Sequence, residues 1–231
     1  ETDTKVFSEE KEKPALIVVD KSKSMFFGSQ KKTKSVVAAE LAALAAIPIL
    51  KEGDRVGGVV FADEGIDIVL PKRDRKNIYR FLQEIVKRNL ELESSSPVEF
   101  DVALNEVFAK IRNVVSHDFL IIIISDFHRY SPKVMKHLAY LSRHNDVILA
   151  KVYDPMERNI PNTKLIAGDG KQQILIEGTR NKIKEYFLEG FESDYVRFEE
   201  EMKKYRIPIF RINTTSEIED QLKDILKRPR K

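Results

Sequence analysis

Unbroken apolar runs and amphipathic segments alternate along this chain. Residues 15–19 and 119–124 are apolar throughout, a pattern typical of strands that are buried on both faces of a parallel sheet. The predicted helices cover residues 32–50, 75–88, 99–115, 132–143, 180–205 and 217–226, and the other predicted strands cover residues 55–61, 66–70, 146–153 and 207–212. Strands that alternate with helices predict an α/β fold with a mostly parallel central sheet and helices on both of its faces.

Two hairpins depart from this alternation. Strands 55–61 and 66–70 are separated by a short turn, so we predict one antiparallel hairpin at an edge of the main sheet. Gly168-Asp169-Gly170 predicts a hairpin insertion over residues 164–177. We interpret residues 14–231 as a single domain that follows a charged lead-in at residues 1–13. Because the chain opens with Glu1 and not with Met, we expect an excerpt of a longer protein.

Composition excludes several classes of function. The chain has no cysteine, which excludes disulfides, thiolate metal sites and a cysteine nucleophile. Its 40 Lys and Arg residues are interspersed with 37 Asp and Glu residues for a formal net charge of +3, so we expect no nucleic-acid partner. The longest apolar runs, residues 41–50 and 119–124, are too short to cross a bilayer. We therefore expect a cytoplasmic domain without a membrane segment of its own, although the full-length protein could be membrane-associated.

Oxygen-bearing side chains follow the two most apolar strands. Asp20, Ser22 and Ser24 come after the first of these strands, and Asp126 comes after the second. Each residue alone would be an ordinary turn or capping residue. Ligand sites in open α/β sheets lie beyond the carboxyl ends of the strands, so these side chains should lie close together. Because hard divalent cations prefer oxygen ligands, the sequence predicts a site for Mg2+, with Mn2+ or Ca2+ as alternatives, at these four residues.

Other candidate residues have weaker support. Asp154 follows the predicted strand 146–153 and is a possible accessory ligand, but a turn with Pro155 explains it as well. The glycines within residues 53–58 lack the Lys-Ser/Thr of a phosphate loop, so close packing of a helix on the sheet explains them better. The histidines lack the spacing of a zinc site; they are His117, His128, His137 and His144.

The stretch Asp20-Lys21-Ser22-Lys23-Ser24 resembles the metal-ion-dependent adhesion site of von Willebrand factor A (VWA) domains. The chain also resembles, in order and over nearly its whole length, a bacterial VWA-like family known as domain of unknown function 58. The similar stretches are residues 7–10, 20–28, 34–41, 53–58, 124–127 and 154–158, with Pro161. The resemblance implies a Rossmann-like VWA fold, with direct metal contacts from Ser22 and Ser24 and contacts through water from Asp20 and Asp126.

The same resemblance implies a partner and shows one departure from the pattern. Family members are frequently associated with MoxR-type AAA+ ATPases that assemble or mature other proteins, so the implied partner is such an ATPase or its client. VWA domains carry a Thr ligand just before the helix predicted from residue 99, and this chain has Val98 there. Ser95 and Ser96 are possible accessory ligands in its place. We therefore expect weak metal binding.

We interpret the chain as a metal-assisted protein-binding module and not as an enzyme. An acidic residue of the partner would complete the coordination of the metal. Lys21, Lys23 and Arg129 would add long-range attraction to that partner. The residues expected to contact it are Met25, Phe26, Phe27 and Arg129.

Two alternatives stay open at this point. One is a Mg2+-dependent hydrolase or phosphotransferase with Asp20 as its nucleophile. Such enzymes commonly carry a second Asp two residues later as the acid, and this chain has Ser22 there. The other alternative is a VWA-like scaffold whose metal site is empty.

Overall fold

The computed structural model describes residues 13–93, 100–128, 131–158, 164–168, 173–177, 193 and 195–227. The strands are β1 (Ala15–Asp20), β2 (Val56–Phe61), β3 (Ile66–Lys72), β4 (Leu120–Ser125), β5 (Asp146–Tyr153), β6 (Lys164–Gly168), β7 (Gln173–Glu177) and β8 (Ile209–Asn213). The helices are α1 (Lys34–Lys51), α2 (Arg75–Glu91), α3 (Phe100–Val114), α4 (Pro132–Leu141), α5 (Pro155–Arg158), α6 (residues 195–204) and α7 (Ile218–Lys227). Residues 1–12 of the predicted lead-in and most of the predicted helix 180–205 lie outside the described residues.

Six strands form the main sheet in the order β3-β2-β1-β4-β5-β8. Neighbouring strands pair in parallel, except for β2 and β3, which pair antiparallel at one edge. The α/β class, the mostly parallel sheet and the antiparallel edge hairpin are therefore confirmed. The strands β6 and β7 pair antiparallel with each other in a separate two-stranded sheet, where the second hairpin is predicted.

Alternating residues of the central strands fill two apolar cores, one on each face of the main sheet. On one face, Leu16 and Val18 of β1 pack with residues of α3, α4 and α6. On the other face, Ile17 and Val19 pack with residues of α1, α2 and α7. Successive side chains of a strand point to opposite faces. Helices thus cover both faces as predicted, and this is why β1 is apolar at every position from residue 15 to residue 19.

Side-chain caps set where several helices begin. Thr33 has an extended backbone and its Oγ1 accepts a hydrogen bond from the N–H of Val36 at 3.3 Å. This cap makes Lys34 the first residue of α1, two residues later than the predicted start at residue 32. The sequence pattern does not predict α5 or the single 3-10 turn at Lys23–Met25, because one turn is too short to show a period.

The strand β2 approaches its neighbours closely at two glycines. A Cβ atom at Gly58 would lie 2.1 Å from ring atoms of Phe81, a buried residue of α2. A Cβ atom at Gly57 would lie 2.5 Å from the carbonyl oxygen of Val69 in β3. Both distances are far below van der Waals contact, so a larger residue fits only if its neighbours move. Packing of a helix on the sheet therefore explains Gly58 as expected, whereas Gly57 is explained by the neighbouring strand and Gly53 by its φ of +95°.

We predict that Gly58→Ala lowers the free energy of unfolding by about 1 to 3 kcal/mol, because over-packing displaces the Phe81 ring. In a Phe81→Leu background, which removes the ring, the same substitution should cost at least about 1 kcal/mol less. Urea unfolding of the wild type, both single variants and the double variant measures this difference. Equal costs in the two backgrounds would show that Phe81 does not limit the size of residue 58.

Candidate metal-binding and partner-binding site

The carboxyl ends of β1 and β4 bring Asp20 and Asp126 together at one edge of the sheet. The two strands pair in parallel without a register shift, so the residues that follow them leave the sheet at the same level. The Oδ2 atom of Asp20 accepts a hydrogen bond from Ser125 Oγ at 2.6 Å, and its Oδ1 accepts one from the N–H of Ser22 at 2.8 Å. Both carboxylates are buried and their charges interact.

Two hydroxyl groups lie beside these carboxylates on the 3-10 turn. The Oγ atoms of Ser22 and Ser24 are 3.2 Å apart, with Ser22 buried and Ser24 half-buried. The bond from Ser22 to Asp20 closes the loop after β1, and the N–H of Lys23 donates to Asp63 Oδ2 at 2.5 Å. Neighbouring oxygens around an octahedral Mg2+ lie about 2.9 Å apart, given metal–oxygen distances of about 2.05 Å. The two hydroxyls could therefore occupy adjacent positions around one small cation.

The donor set fits a cation that makes few anionic contacts. It combines two hydroxyls with two carboxylates and contains no imidazole, which is the chemistry of a hard metal. In the described part of the chain, no group of three or more His, Cys, Asp and Glu side chains could hold a metal ion. The accessory candidates Ser95 and Ser96, and Val98 at the position of the expected Thr, lie outside the described residues.

Charge compensation differs between the two carboxylates. Burial raises the pKa of Asp20 to about 7, and the charge of Asp126 adds to this increase. The hydrogen bonds from Ser125 and Ser22 act in the opposite direction. Burial acts in the same direction on Asp126, but the ammonium of Lys34 outweighs it and holds the pKa of Asp126 below its usual value. A cation next to Asp20 would therefore relieve the repulsion between the two carboxylates.

Lys34 is a site residue that the sequence analysis does not single out. Its side chain is 2% exposed, and its Nζ atom lies 2.8 Å from Asp126 Oδ2 and 2.5 Å from Glu157 Oε1. Burial alone would lower the pKa of Lys34, but the two carboxylates raise it above its usual value. A signal is present in the sequence, because Lys34 shares the apolar stripe of α1 with Val37 and Leu41. A charged residue on such a stripe needs a buried partner.

Lys21 does not lie on the surface, so it cannot contact a partner directly, and its long-range attraction for a partner stays a prediction. Its buried Nζ atom donates to the carbonyl oxygen of Ser35 at 2.6 Å and to Ser35 Oγ at 2.8 Å, and it lies 3.4 Å from Asn89 Oδ1. Burial lowers the pKa of Lys21 to about 7, although the charge of Asp20 opposes this change. Lys21 therefore ties the loop after β1 to α1 and α2.

The apolar residues of the 3-10 turn and beyond divide between core and surface. Met25 is fully buried in the core beneath α1 and is not available to a partner, which corrects its predicted role. Phe26 and Phe27 are 44% and 40% exposed. The Nζ atom of half-buried Lys23 lies 5.3 Å from the centre of the Phe26 ring, within the range of a cation–π contact. Arg129 lies outside the described residues.

Asp154 joins three segments at the same edge of the sheet. Its Oδ2 atom accepts hydrogen bonds from the N–H of Ser29 at 2.8 Å and from Thr214 Oγ1 at 2.5 Å. Its Oδ1 atom accepts one from the N–H of Met156 at 2.8 Å. Burial acts to raise the pKa of Asp154, but these bonds outweigh it and hold the pKa below its usual value. The bond from Met156 is that of a local turn, whereas the bonds from Ser29 and Thr214 connect distant parts of the chain. The accessory metal role of Asp154 stays a prediction.

A known protein family includes the sequence of this chain. The model of the family described as "Protein of unknown function DUF58" matches residues 1–192. The chain belongs to this family. No curated protein sequence matches this DUF58 chain.

Solved structures share the fold of the DUF58 chain. The conserved hypothetical protein BatB from Bacteroides thetaiotaomicron has a TM-score of 0.52 at 18% identity, over 93% of this chain and 98% of that one. The VWA domain of SpRpn10 has a TM-score of 0.45 at 10% identity, over 92% and 94%. The sheet topology shows a Rossmann-like α/β fold, and BatB shares it over nearly the whole of both chains. Among the described helices, none is long and apolar enough to cross a membrane.

In the DUF58 chain, we predict that Asp154→Asn lowers the free energy of unfolding at pH 7 by about 2 kcal/mol, because hydrogen bonds to a charged group contribute about 1.5 to 3 kcal/mol. The pKa of Asp154 lies below its ordinary value of 3.8 in the folded chain. Its stabilisation is therefore present above about pH 4 and is lost as the pH falls through the folded-state pKa.

Urea unfolding of the wild type and the variant between pH 7 and pH 3 measures this difference. Asp220→Asn, on the exposed side of α7, is the control and should change stability by at most about 0.5 kcal/mol at each pH. A loss in Asp154→Asn that stays constant down to pH 3 would contradict the assignment of the stabilisation to the charged carboxylate.

Proposed function

We propose that this chain is a protein-binding module that takes a divalent cation at Asp20, Ser22, Ser24 and Asp126 and then an acidic residue of a partner. The observation that carries the proposal is a pair of hydroxyls 3.2 Å apart, beside two buried carboxylates at the ends of adjacent parallel strands. Mg2+ is the cation that suits this set best, because it keeps several waters and needs few protein ligands. Those waters are positions that a carboxylate from another molecule can take.

The partner surface that we propose surrounds the half-buried Ser24. Phe26 and Phe27 follow it in the chain and expose apolar rings to solvent. Exposed aromatic residues beside a polar anchor are common in protein interfaces. A MoxR-type AAA+ ATPase, or a client of one, is the partner that the family resemblance implies.

We propose binding without turnover of a substrate. Both carboxylate oxygens of Asp20 accept hydrogen bonds, one from the Ser22 N–H and one from Ser125 Oγ, and these bonds make each oxygen a weaker nucleophile than that of a free carboxylate. Ser22 also stands where the hydrolase alternative needs an acid. A phosphatase activity that purifies with the chain and disappears in Asp20→Asn would favour the hydrolase instead.

We predict that 10 mM Mg2+ or Mn2+ raises the Tm of the wild-type chain by about 3 to 5 °C. A ligand with a Kd of about 1 mM that binds only the folded state stabilises it by about 1.4 kcal/mol at that concentration. Asp20→Asn and Ser22→Ala should each abolish the shift. Thermal unfolding in EDTA and in excess metal measures it.

Two comparisons separate metal binding from a general effect on stability. Asp220→Asn, a surface carboxylate variant, should keep the full shift in Tm. In EDTA, Asp20→Asn should melt close to the wild type. The amide oxygen still accepts from the Ser22 N–H, and the lost repulsion with Asp126 offsets the lost acceptor of the Ser125 hydroxyl. Equal shifts in the wild type and in Asp20→Asn would instead support the scaffold with an empty site.

Partner binding should depend on the cation and on the exposed ring of Phe26. We predict that EDTA and Ser24→Ala each weaken binding of a MoxR-type AAA+ ATPase by about tenfold or more, and that Phe26→Ser weakens it by about fivefold. Biolayer interferometry with the full chain measures these affinities. Leu226→Ser, at an 84% exposed position on α7, is the control and should have no effect. An affinity that changes with neither EDTA nor Ser24→Ala would show that the interface lies elsewhere.

A further inference from the structure

The buried ammonium of Lys34 lies between the candidate metal site and α5. Its Nζ atom contacts Asp126 Oδ2 at 2.8 Å and Glu157 Oε1 at 2.5 Å. The other oxygen of Glu157, Oε2, accepts a hydrogen bond from the N–H of Asp154 at 2.9 Å. Glu157 is therefore held through both of its oxygens. One ammonium is shared by a carboxylate of the site and a carboxylate outside it.

The contact with Lys34 leaves Asp126 with fewer free acceptor positions for a metal. Its Oδ2 atom accepts from Lys34, and its Oδ1 atom accepts from the N–H of His128 at 3.0 Å. A carboxylate oxygen has two acceptor positions, so one position is left on each atom. A cation at either position would lie within a few ångströms of the Lys34 ammonium. The two positive charges would repel each other in a buried setting, where screening is weak.

Two further buried lysines interact with the same carboxylates. Lys21 interacts electrostatically with Asp20, and Lys151 does so with Asp126 and Glu157. Burial lowers the pKa of both lysines and so favours their neutral forms. Lys34 differs from them, because its two carboxylates raise its pKa and its ammonium contacts Asp126 directly at 2.8 Å.

We propose that Lys34 is a positioning residue that acts as a built-in counter-ion and lowers the affinity of the site for a divalent cation. Glu157 limits this effect, because it shares the ammonium with Asp126. The inference rests on the metal site of the proposed function and adds the residue that sets the affinity of this site for the cation. It requires no movement of the sheet, since Lys34 already contacts both Asp126 and Glu157.

The test uses Mn2+ as the probe, with isothermal titration calorimetry for the Kd and electron paramagnetic resonance for free Mn2+, at one pH and ionic strength. The main variant combines Lys34→Met with Glu157→Gln, which removes one positive and one negative charge and leaves the net charge unchanged. The second variant is Glu157→Gln alone. The matched control combines Lys32→Met with Glu40→Gln, a surface ion pair of 2.8 Å near the start of α1.

The two test variants should change the affinity in opposite directions. The combined Lys34 and Glu157 variant should bind Mn2+ about tenfold more tightly than the wild type, because the repelling ammonium is gone. Glu157→Gln alone should bind about threefold more weakly, because Asp126 then holds the whole ammonium and a nearby negative charge is lost. The control pair should stay within about twofold of the wild type.

An affinity in the combined variant that equals or falls below that of the wild type, with cooperative thermal unfolding retained, would overturn the role of Lys34. If the combined variant does not fold, the Kd of Glu157→Gln for Mn2+ tests the proposal alone. An unchanged or tighter Kd in that variant overturns the proposal. A failure of the metal-site proposal itself gives a different result. Its failure appears as Mn2+ binding that is the same in the wild type and in Asp20→Asn.

Discussion

The buried ion pair between Lys34 and Asp126 is the contact on which the geometry of the sheet edge depends. It joins the first turn of α1 to the end of β4, the strand beside β1. A lysine in the first turn of a helix is opposed by the helix dipole, and its burial is costly without a partner. The carboxylates of Asp126 and Glu157 therefore hold Lys34 where it is, and helix propensity does not.

This edge is supported by a sheet that is covered on both faces. The strands β1 and β4 lie at the centre of the sheet, where apolar side chains pack into helices on either side. The close approach of α2 at Gly58 is part of the same packing. Side chains at the ends of such strands are attached to a rigid backbone, because close-packed interiors resist displacement. Asp20 and Asp126 differ in environment although both follow buried strands, and the difference lies in the neighbouring charges.

A Rossmann-like α/β fold is compatible with many functions, so the functional argument depends on the site. We propose that two hydroxyls and two carboxylates hold a cation, and Lys34 already balances part of their negative charge. Such a site suits reversible recognition better than permanent metal storage, because a further carboxylate from a partner would improve the balance of charge. The exposed rings of Phe26 and Phe27 beside it offer apolar contact, whereas the fully buried Met25 contributes to the core instead.

Sequence patterns alone determined the fold class, the antiparallel edge hairpin and the strand ends at which the candidate site lies. Those features follow from local periodicity and from the rule that parallel strands end at one edge. The sequence also contained the charged residue on the apolar stripe of α1, but not its partners. Only the tertiary structure decided that Lys34 contacts Asp126 and Glu157, that Lys21 points inward to Ser35, and that Met25 is buried. These outcomes depend on contacts between residues that are far apart in the chain, and neither periodicity nor spacing along the sequence encodes them.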